Sequence, residues 1–187
     1  MQLRAIEPED LELLYSIEND ISLWWIGAQT APISRYHLRE YIANNENDIY
    51  KDEQVRYIIE ISQEDFLAGK YGGEGRLMRE QGKGNIAVGI IDLFNFSPQH
   101  NRAEIGIALL KQFQGRGIAQ KAIILLAEIS KEIIHLNQIY AIVPEKHKTS
   151  LNMLEKTGFV YGGTLKKWLF NGEKYSDATI MQLFLKK

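Results

Sequence analysis

The sequence predicts an α/β (α+β) fold in one domain that spans residues 1–187. A strand-like run over 104–110 leads through a glycine turn into a helix with apolar periodicity from 118 to about 134. Near the C-terminus, two strands are predicted around the turn pair Asn171 and Gly172. With 187 residues, of which 45% are hydrophobic, the chain is long enough for one well-buried core and too short for two ordinary domains.

The other elements follow from local residue patterns. Pro8 is suited to begin the first helix and Ser34 to cap the second. The predicted helices cover 8–18, 34–43 and about 149–156, and the predicted strands cover 2–5, 55–61, 86–94, 138–143, 163–170 and 175–185.

Residues 63–85 stand apart, because six glycines fall there among charged residues. Such a composition cannot bury enough surface to order itself. We therefore predict a flexible insertion between strands 2 and 3. We interpret it as an insertion that the fold tolerates and that has no function of its own; the alternatives are a lid or a partner-docking loop.

Composition narrows the class of protein. The chain has no cysteine, no run of eighteen apolar residues and no basic-then-apolar leader after Met1, so disulfides, membrane spanning and secretion have no support, and we expect a cytoplasmic protein.

A net charge of −2 argues against a general nucleic-acid surface. Residues 1–60 carry 12 acids and 5 bases, whereas residues 61–187 carry 12 acids and 17 bases. The basic part suits an anionic ligand and the acidic part a cationic amine.

Residues 114–119, here called the socket, have the sequence Gln-Gly-Arg-Gly-Ile-Ala. They lie where a strand ends and a helix begins, and a helix N-terminus directs unpaired N–H groups outward. Gly115 and Gly117 would let the backbone approach a phosphate, and Arg116 adds a positive charge. The small side chain of Ala119 leaves the first helical turn unobstructed. Spacing excludes a Walker loop and a dinucleotide fingerprint. The alternative is an ordinary glycine-containing strand-to-helix turn.

The motif Gln114-x-x-Gly117-x-Ala119 resembles the Q/R-x-x-G-x-G/A pyrophosphate signature of the GCN5-related N-acetyltransferase (GNAT) family. In addition, Glu155-Lys156-Thr157-Gly158-Phe159 resembles the E-K-x-G-F ending of that family's second motif. The resemblance is dense from Glu104 to the C-terminus. Within the family it is greatest to the branch of spermidine and ribosomal-protein N-terminal acetyltransferases.

The resemblance implies the GNAT fold, a mixed, mostly antiparallel twisted sheet of six or seven strands, splayed between strands 4 and 5 and flanked by about four helices. It also implies acetyl-CoA as the acetyl donor. The diphosphate would bind at Gln114, Gly115, Arg116, Gly117, Ile118 and Ala119. The pantetheine arm would pair with the backbone of Ile107, Ala108 and Leu109, and a bulge at Gly106 would open a wedge between strands 4 and 5. A backbone N–H near this bulge would polarise the thioester carbonyl.

Acetyl transfer needs an amine that has lost its proton, and a primary amine titrates near ~10.4 in water. Glu104 matches the position where the family often carries a general-base glutamate. The alternative is a strand-edge carboxylate that is paired with Arg102 or solvated. Because the chain has no cysteine, we expect direct attack in a ternary complex.

Two residues depart from the family pattern. A tyrosine that protonates the leaving thiolate is replaced by Leu154, so another group or water must supply that proton. The asparagine of the second motif is replaced by His147, which can still donate a hydrogen bond to the pantetheine region. The other histidines lack metal-ligand spacing, and no metal is expected.

The acceptor would approach from the side of the first two helices, and it could be a polyamine, a peptide N-terminus or another small amine. The acidic N-terminal part slightly favours a polyamine. Trp24 and Trp25 are interpreted as core anchors, with the lining of an acceptor pocket as the alternative. Two further alternatives are a non-catalytic acyl-CoA-binding module, which Leu154 favours, and a phosphate-binding regulatory domain. Self-association is left open.

Overall fold

The computed structural model describes residues 1–24, 29–71 and 84–185 of the protein. Its strands are β1 (Gln2–Arg4), β2 (Val55–Ser62), β3 (Asn85–Ser97), β4 (Arg102–Leu109), β5 (Gln138–Pro144), β6 (Val160–Phe170) and β7 (Tyr175–Phe184). Its helices are α1 (Leu11–Glu18), α2 (Ile21–Trp24), α3 (Arg35–Asn44), α4 (Ile49–Asp52), α5 (Gln63–Leu67), α6 (Ile118–Glu132) and α7 (Lys148–Lys156).

The seven described strands form one mixed sheet in the order β1-β2-β3-β4-β5-β7-β6. Neighbouring strands pair antiparallel except β4 and β5, which are parallel. This arrangement confirms the predicted fold class. The four longer helices coincide with the four predicted ones. Helices α2, α4 and α5 were not predicted, because an element of four or five residues is too short to show a 3.6-residue period.

The start of the chain follows its capping signals. A 3₁₀ turn over Pro8–Asp10 leads directly into α1. At α3, the hydroxyl of Ser34 accepts a hydrogen bond of 3.2 Å from the backbone N–H of His37, which confirms the predicted cap.

The sheet has a hydrophobic core on each face, and β4 contributes to both because its side chains alternate. Ala103 and Ile105 belong to the larger core, with Ile118 and Leu126 of α6. Ala108 packs against the smaller core, which contains buried residues of α1, α3, β2 and β3. By the same alternation, Glu104 lies on the face of α1 and α3, where the acceptor was expected.

The segment 63–85 is not unstructured throughout, which corrects part of the expectation for it. Gln63–Leu67 forms α5, whose first turn is capped by the hydroxyl of Ser62. Phe66 and Tyr71 are 4% and 3% exposed. Two aromatic side chains therefore order the start of this segment in spite of its composition. The remainder, 72–83, lies outside the described residues.

Candidate functional site

The wedge between β4 and β5 is defined by where their pairing stops. The parallel ladder joins Arg102–Glu104 to Gln138–Tyr140, and within residues 84–185 it extends no further, although β4 continues to Leu109 and β5 to Pro144. Because the two strands are parallel, their unpaired C-terminal halves open toward the same edge of the sheet. Helices α6 and α7 begin beyond that edge. The predicted splay between strands 4 and 5 is therefore present.

The predicted bulge at Gly106 is wrong. Gly106 is in regular register with Asp92, and the irregularity lies on the other strand, between Phe94 and Ser97. Asn95, inside that irregular step, has a left-handed φ of 48°. Glycine at position 106 has a different cause: a Cβ there would lie 3.1 Å from Cε1 of Phe94. The glycine makes room for an aromatic ring.

The socket has the geometry of an anion site. Gly115 and Gly117 have φ of 72° and 71°, values that favour glycine, and Gly117 is the N-cap of α6. Among the described residues, no side chain caps this helix and no acid occupies its first turn. Apart from the glycine itself and its neighbours in the chain, no described heavy atom lies within 4 Å of a Cβ built on either glycine. The first-turn amides of α6 thus face an open, positively polarised surface, which is where a phosphate group binds.

Two socket side chains hold the turn together. The Gln114 side-chain amide donates a hydrogen bond of 2.9 Å to the carbonyl of Leu109, and Nε of Arg116 donates one of 2.9 Å to the carbonyl of Gln112. Ile118 is fully buried, so only its backbone could meet a ligand. Ala119 is half-buried. Direct contact of these residues with the diphosphate stays a prediction.

Helix α5 packs behind the socket, a contact that sequence analysis missed. The rings of Phe66 and Phe113 meet edge-on with centroids 5.5 Å apart, and the Arg116 guanidinium lies 5.7 Å from the Phe66 ring centroid. Nζ of Lys121, one turn into α6, lies 4.7 Å from the Tyr71 ring centroid. Aromatic faces thus carry two cations beside the open helix terminus. The two aromatic residues in 63–71, Phe66 and Tyr71, were the signal from which sequence analysis could have found this contact.

The edge predicted to bind pantetheine lies along the wedge. Ile107 and Leu109 pack against the larger core, and Ala108 packs against the smaller one. All three lie past the end of the β4–β5 ladder, so the backbone on that side is available to an extended ligand. Pantetheine binding at Ile107, Ala108 and Leu109 stays a prediction.

Glu104 lies at the closed end of the wedge, at the last ladder pair with Tyr140. Its side chain is 8% exposed, which excludes a solvated strand-edge carboxylate. Nδ2 of Asn95 donates a hydrogen bond of 2.9 Å to Oε2 of Glu104. Tyr140, the cross-strand partner of Glu104, has its side chain near enough to lower the pKa of this carboxylate. Burial raises the pKa of Glu104, and Asn95 and Tyr140 oppose that rise. A buried carboxylate with a raised pKa is suited to accept a proton.

The two residues that depart from the family pattern are placed as follows. His147 is exposed at the N-cap of α7, just past the end of β5, and its Nδ1 lies 2.7 Å from the Ser150 hydroxyl. It lies at the same edge as the socket, and its contact with pantetheine stays a prediction. Leu154 is 3% exposed in the larger core, so this position supplies no proton. In the described ranges no group of three histidine, cysteine or acidic residues could hold a metal ion.

Polar contacts hold both ends of the connection between α1 and α3 (19–34, the acceptor-side connection), of which the structure describes 19–24 and 29–34. Arg56 of β2 bonds to Asp92 of β3 at 2.7 Å and to Glu18 of α1 at 2.6 Å. The side chain of Asn19 donates to and accepts from the backbone of Ile33. The Trp24 indole donates a hydrogen bond of 2.9 Å to the carbonyl of Glu18. Trp24 is half-buried, so it is not the core anchor that was expected; Trp25 lies outside the described residues.

A cavity of ≈ 180 Å³ lies between the acceptor-side connection and the end of β4. Ile17, Asp20 and Leu23 line one side of it, and Leu109 and Lys111 line the other. The Asp20 carboxylate is held by Ser22 and lies 3.4 Å from Nζ of Lys111. The cavity therefore joins the expected acceptor side to the predicted donor edge.

The described helices include none that is both long and apolar enough to cross a membrane.

Comparison with known proteins agrees with this geometry. A family model described as "Acetyltransferase (GNAT) domain" matches residues 1–160. The chain is 25% identical over 187 residues to the spermidine N(1)-acetyltransferase of Escherichia coli, covering 98% of this chain and 86% of that protein. It is 23% identical to the enzyme of the same name from Vibrio cholerae, covering 100% and 94%. The crystal structure of the Vibrio cholerae spermidine N-acetyltransferase in complex with CoA and spermine superposes with a TM-score of 0.77 over 98% of this chain and 95% of that one, at 23% identity.

Proposed function

We propose, on the premise that the chain belongs to the GNAT acetyltransferase family, that the acceptor of this acetyl-CoA-dependent N-acyltransferase is a linear polyamine. The observation that carries the enzymatic assignment is the wedge between β4 and β5, which opens toward the free N-terminus of α6. A thioester ligand with a diphosphate fits this arrangement, because its anionic end meets the socket and its extended arm can follow the unpaired edge of β4.

The polyamine is supported by charge on the acceptor side. Glu18, Asp92 and Arg56 form a group of two carboxylates and one guanidinium at the end of α1, and at the cavity the Asp20 carboxylate is paired with Nζ of Lys111 at 3.4 Å. A molecule with several ammonium groups is favoured there over a neutral acceptor. The two named relatives, from Escherichia coli and Vibrio cholerae, are spermidine N-acetyltransferases.

In the proposed reaction the amine nitrogen attacks the thioester carbonyl carbon while the C–S bond breaks. The proton of the amine passes to Glu104, and the departing thiolate takes a proton from water. A thiol titrates near ~8.5, so the departure of the thiolate without an assigned acid is a modest handicap. The first-turn amides of α6, with Arg116 and Lys121 beside them, hold the donor. Glu104 is only 8% exposed, which limits its contact with bulk water.

Release of free thiol from acetyl-CoA tests the proposal. The purified chain is incubated with spermidine, spermine, a peptide with a free N-terminus and a monoamine. We expect thiol release with the polyamines, accompanied by a mass increase of one acetyl group on the acceptor. Binding of acetyl-CoA without release for any amine would favour the non-catalytic module. Preferred release with the peptide would replace the polyamine by a protein N-terminus.

A further inference from the structure

The surroundings of Glu104 contain two groups that the family resemblance did not point to. Asn95 of β3 donates a hydrogen bond to the carboxylate, and Tyr140 of β5 is the cross-strand partner of Glu104, so a polar side chain flanks Glu104 on each neighbouring strand. We infer that Asn95, through its hydrogen bond, and Tyr140, through its position across the ladder, are positioning residues that keep the Glu104 carboxylate in the orientation that accepts the amine proton. This inference rests on the proposed role of Glu104 as the general base.

A bulge in the backbone of β3 turns the Asn95 side chain toward Glu104. Between Phe94 and Ser97 the strand contains one residue more than its partner β4, and Asn95 adopts φ of 48° at this step. Asparagine is among the few side chains that tolerate a left-handed conformation. In a regular strand, successive side chains alternate between faces, and Asn95 would point away from Glu104, the cross-strand partner of Phe94. The bulge therefore places an amide donor at the carboxylate.

Tyr140 flanks the opposite side, at the point where the wedge closes. It is the direct cross-strand partner of Glu104 in the last pair of the parallel ladder. Its ring is half-buried, and both burial and the negative charge of Glu104 raise the pKa of its hydroxyl. The phenol therefore stays protonated at neutral pH and keeps an O–H that can donate a hydrogen bond.

The other charged groups on this face already have partners or act on Tyr140. Asp92, two positions before Phe94 on β3, is bonded to Arg56, which also binds Glu18 of α1. Arg102 of β4 acts electrostatically on Tyr140. Asn95 and Tyr140 are thus the two groups that oppose the effect of burial on the pKa of Glu104. Loss of either polar group should raise that pKa by about one unit.

The test uses variants that remove one polar group each and keep the local shape. Tyr140→Phe keeps the ring, and Asn95→Gly keeps a residue that tolerates the left-handed backbone. The matched controls are Tyr57→Phe, a half-buried tyrosine of β2, and Asn101→Gly, a second asparagine with φ of 47°. Circular dichroism and thermal unfolding establish that each variant is folded.

Two readouts are compared. The first is the titration of the Glu104 side-chain carboxyl by carbon-13 NMR, assigned by the signal that Glu104→Gln removes. The second is the acidic limb of kcat/KM for spermidine. We expect the titration midpoint of Glu104 and the midpoint of the acidic limb to move upward by about one pH unit in Tyr140→Phe and in Asn95→Gly. The shift should be larger in the double variant and absent in the controls. At pH values below the limb, kcat/KM of each single variant should be about tenfold lower than that of the wild type.

The outcomes separate the inference from the function that it builds on. If Glu104→Gln loses the acidic limb but Tyr140→Phe and Asn95→Gly leave the Glu104 titration unchanged, the inference is overturned and the general base stands. If Glu104→Gln keeps the wild-type pH profile, the general-base role is lost, and the inference is overturned with it. Thiol release independently decides whether the chain is an acetyltransferase.

Discussion

The side-chain amide of Gln114 bonds to the carbonyl of Leu109 at 2.9 Å, and this contact joins the two parts of the donor site. Leu109 ends the β4 edge that is proposed to pair with pantetheine, while Gln114 begins the socket proposed for the diphosphate. Together with the backbone hydrogen bonds of the intervening turn, this contact sets the distance between the places where the two ends of the donor would bind.

Gln114→Leu should weaken CoA binding about fivefold, because a typical intramolecular hydrogen bond contributes about 1 kcal/mol and its loss frees the turn. Isothermal titration calorimetry measures this affinity. The control is Gln112→Ala, since only the backbone carbonyl of Gln112 is used in the turn. Equal affinity for the wild type and Gln114→Leu would show that the bond does not shape the donor site.

Gly117→Glu should raise the Kd for CoA by about 100-fold or more, because the new carboxylate would face an anionic ligand and like charges in contact cost several kcal/mol. A side chain at this positive φ also strains the backbone by about 1 to 2 kcal/mol. Gly172→Glu is the matched control, since Gly172 has φ of 92°, equally open surroundings and a position in the β6–β7 turn. Similar affinity in both variants would refute the socket.

Phe66→Leu should lower the free energy of unfolding by about 1 to 2 kcal/mol, because it removes a buried ring that contacts Phe113. The same change removes the aromatic face under Arg116 and should weaken CoA binding slightly. Urea unfolding and calorimetry give the two quantities. Leu67→Ala, at a side chain 50% exposed on the same helix, should change neither. Unaltered stability in Phe66→Leu would mean that α5 does not support the socket.

The pH dependence of stability should also report on Glu104. Its folded-state pKa is raised by burial, so its contribution to stability is full below the unfolded pKa, near ~4.3, and is lost as pH rises through the higher folded value. Glu104→Gln does not titrate. The variant should therefore gain stability relative to the wild type as pH rises from near ~4.3 through the folded pKa of Glu104, by about 1.4 kcal/mol for each unit of difference between the folded and unfolded pKa values. Chemical unfolding at several pH values measures the gain, and a constant difference would contradict it.

Asp20→Asn should raise KM for spermidine roughly two- to fivefold, because a partly exposed ion pair contributes up to about 1 kcal/mol. KM for a monoamine such as butylamine should change less, since it has no second ammonium group. Asp65→Asn, which removes an acid paired with Lys70 outside the cavity, is the control. A proportional change for both amines would remove Asp20 from polyamine recognition.

Local patterns determined most of the architecture. The cap at Ser34, the turn at Asn171 and Gly172, and the glycines of the socket each depend on neighbours a few residues away, so the sequence alone could place them. The match over residues 1–160 agrees with the family motifs read from the C-terminal part.

Only the tertiary structure decided how Glu104 is held and what supports the socket. The bulge at Asn95, the pairing of Tyr140 with Glu104 and the packing of Phe66 on Phe113 join segments that are 9, 36 and 47 positions apart. Such contacts arise from strand register and core packing, which depend on the whole sheet at once. A glycine and an asparagine look alike as turn residues in a sequence, and the sheet determines that Gly106 accommodates a ring while Asn95 forms the bulge.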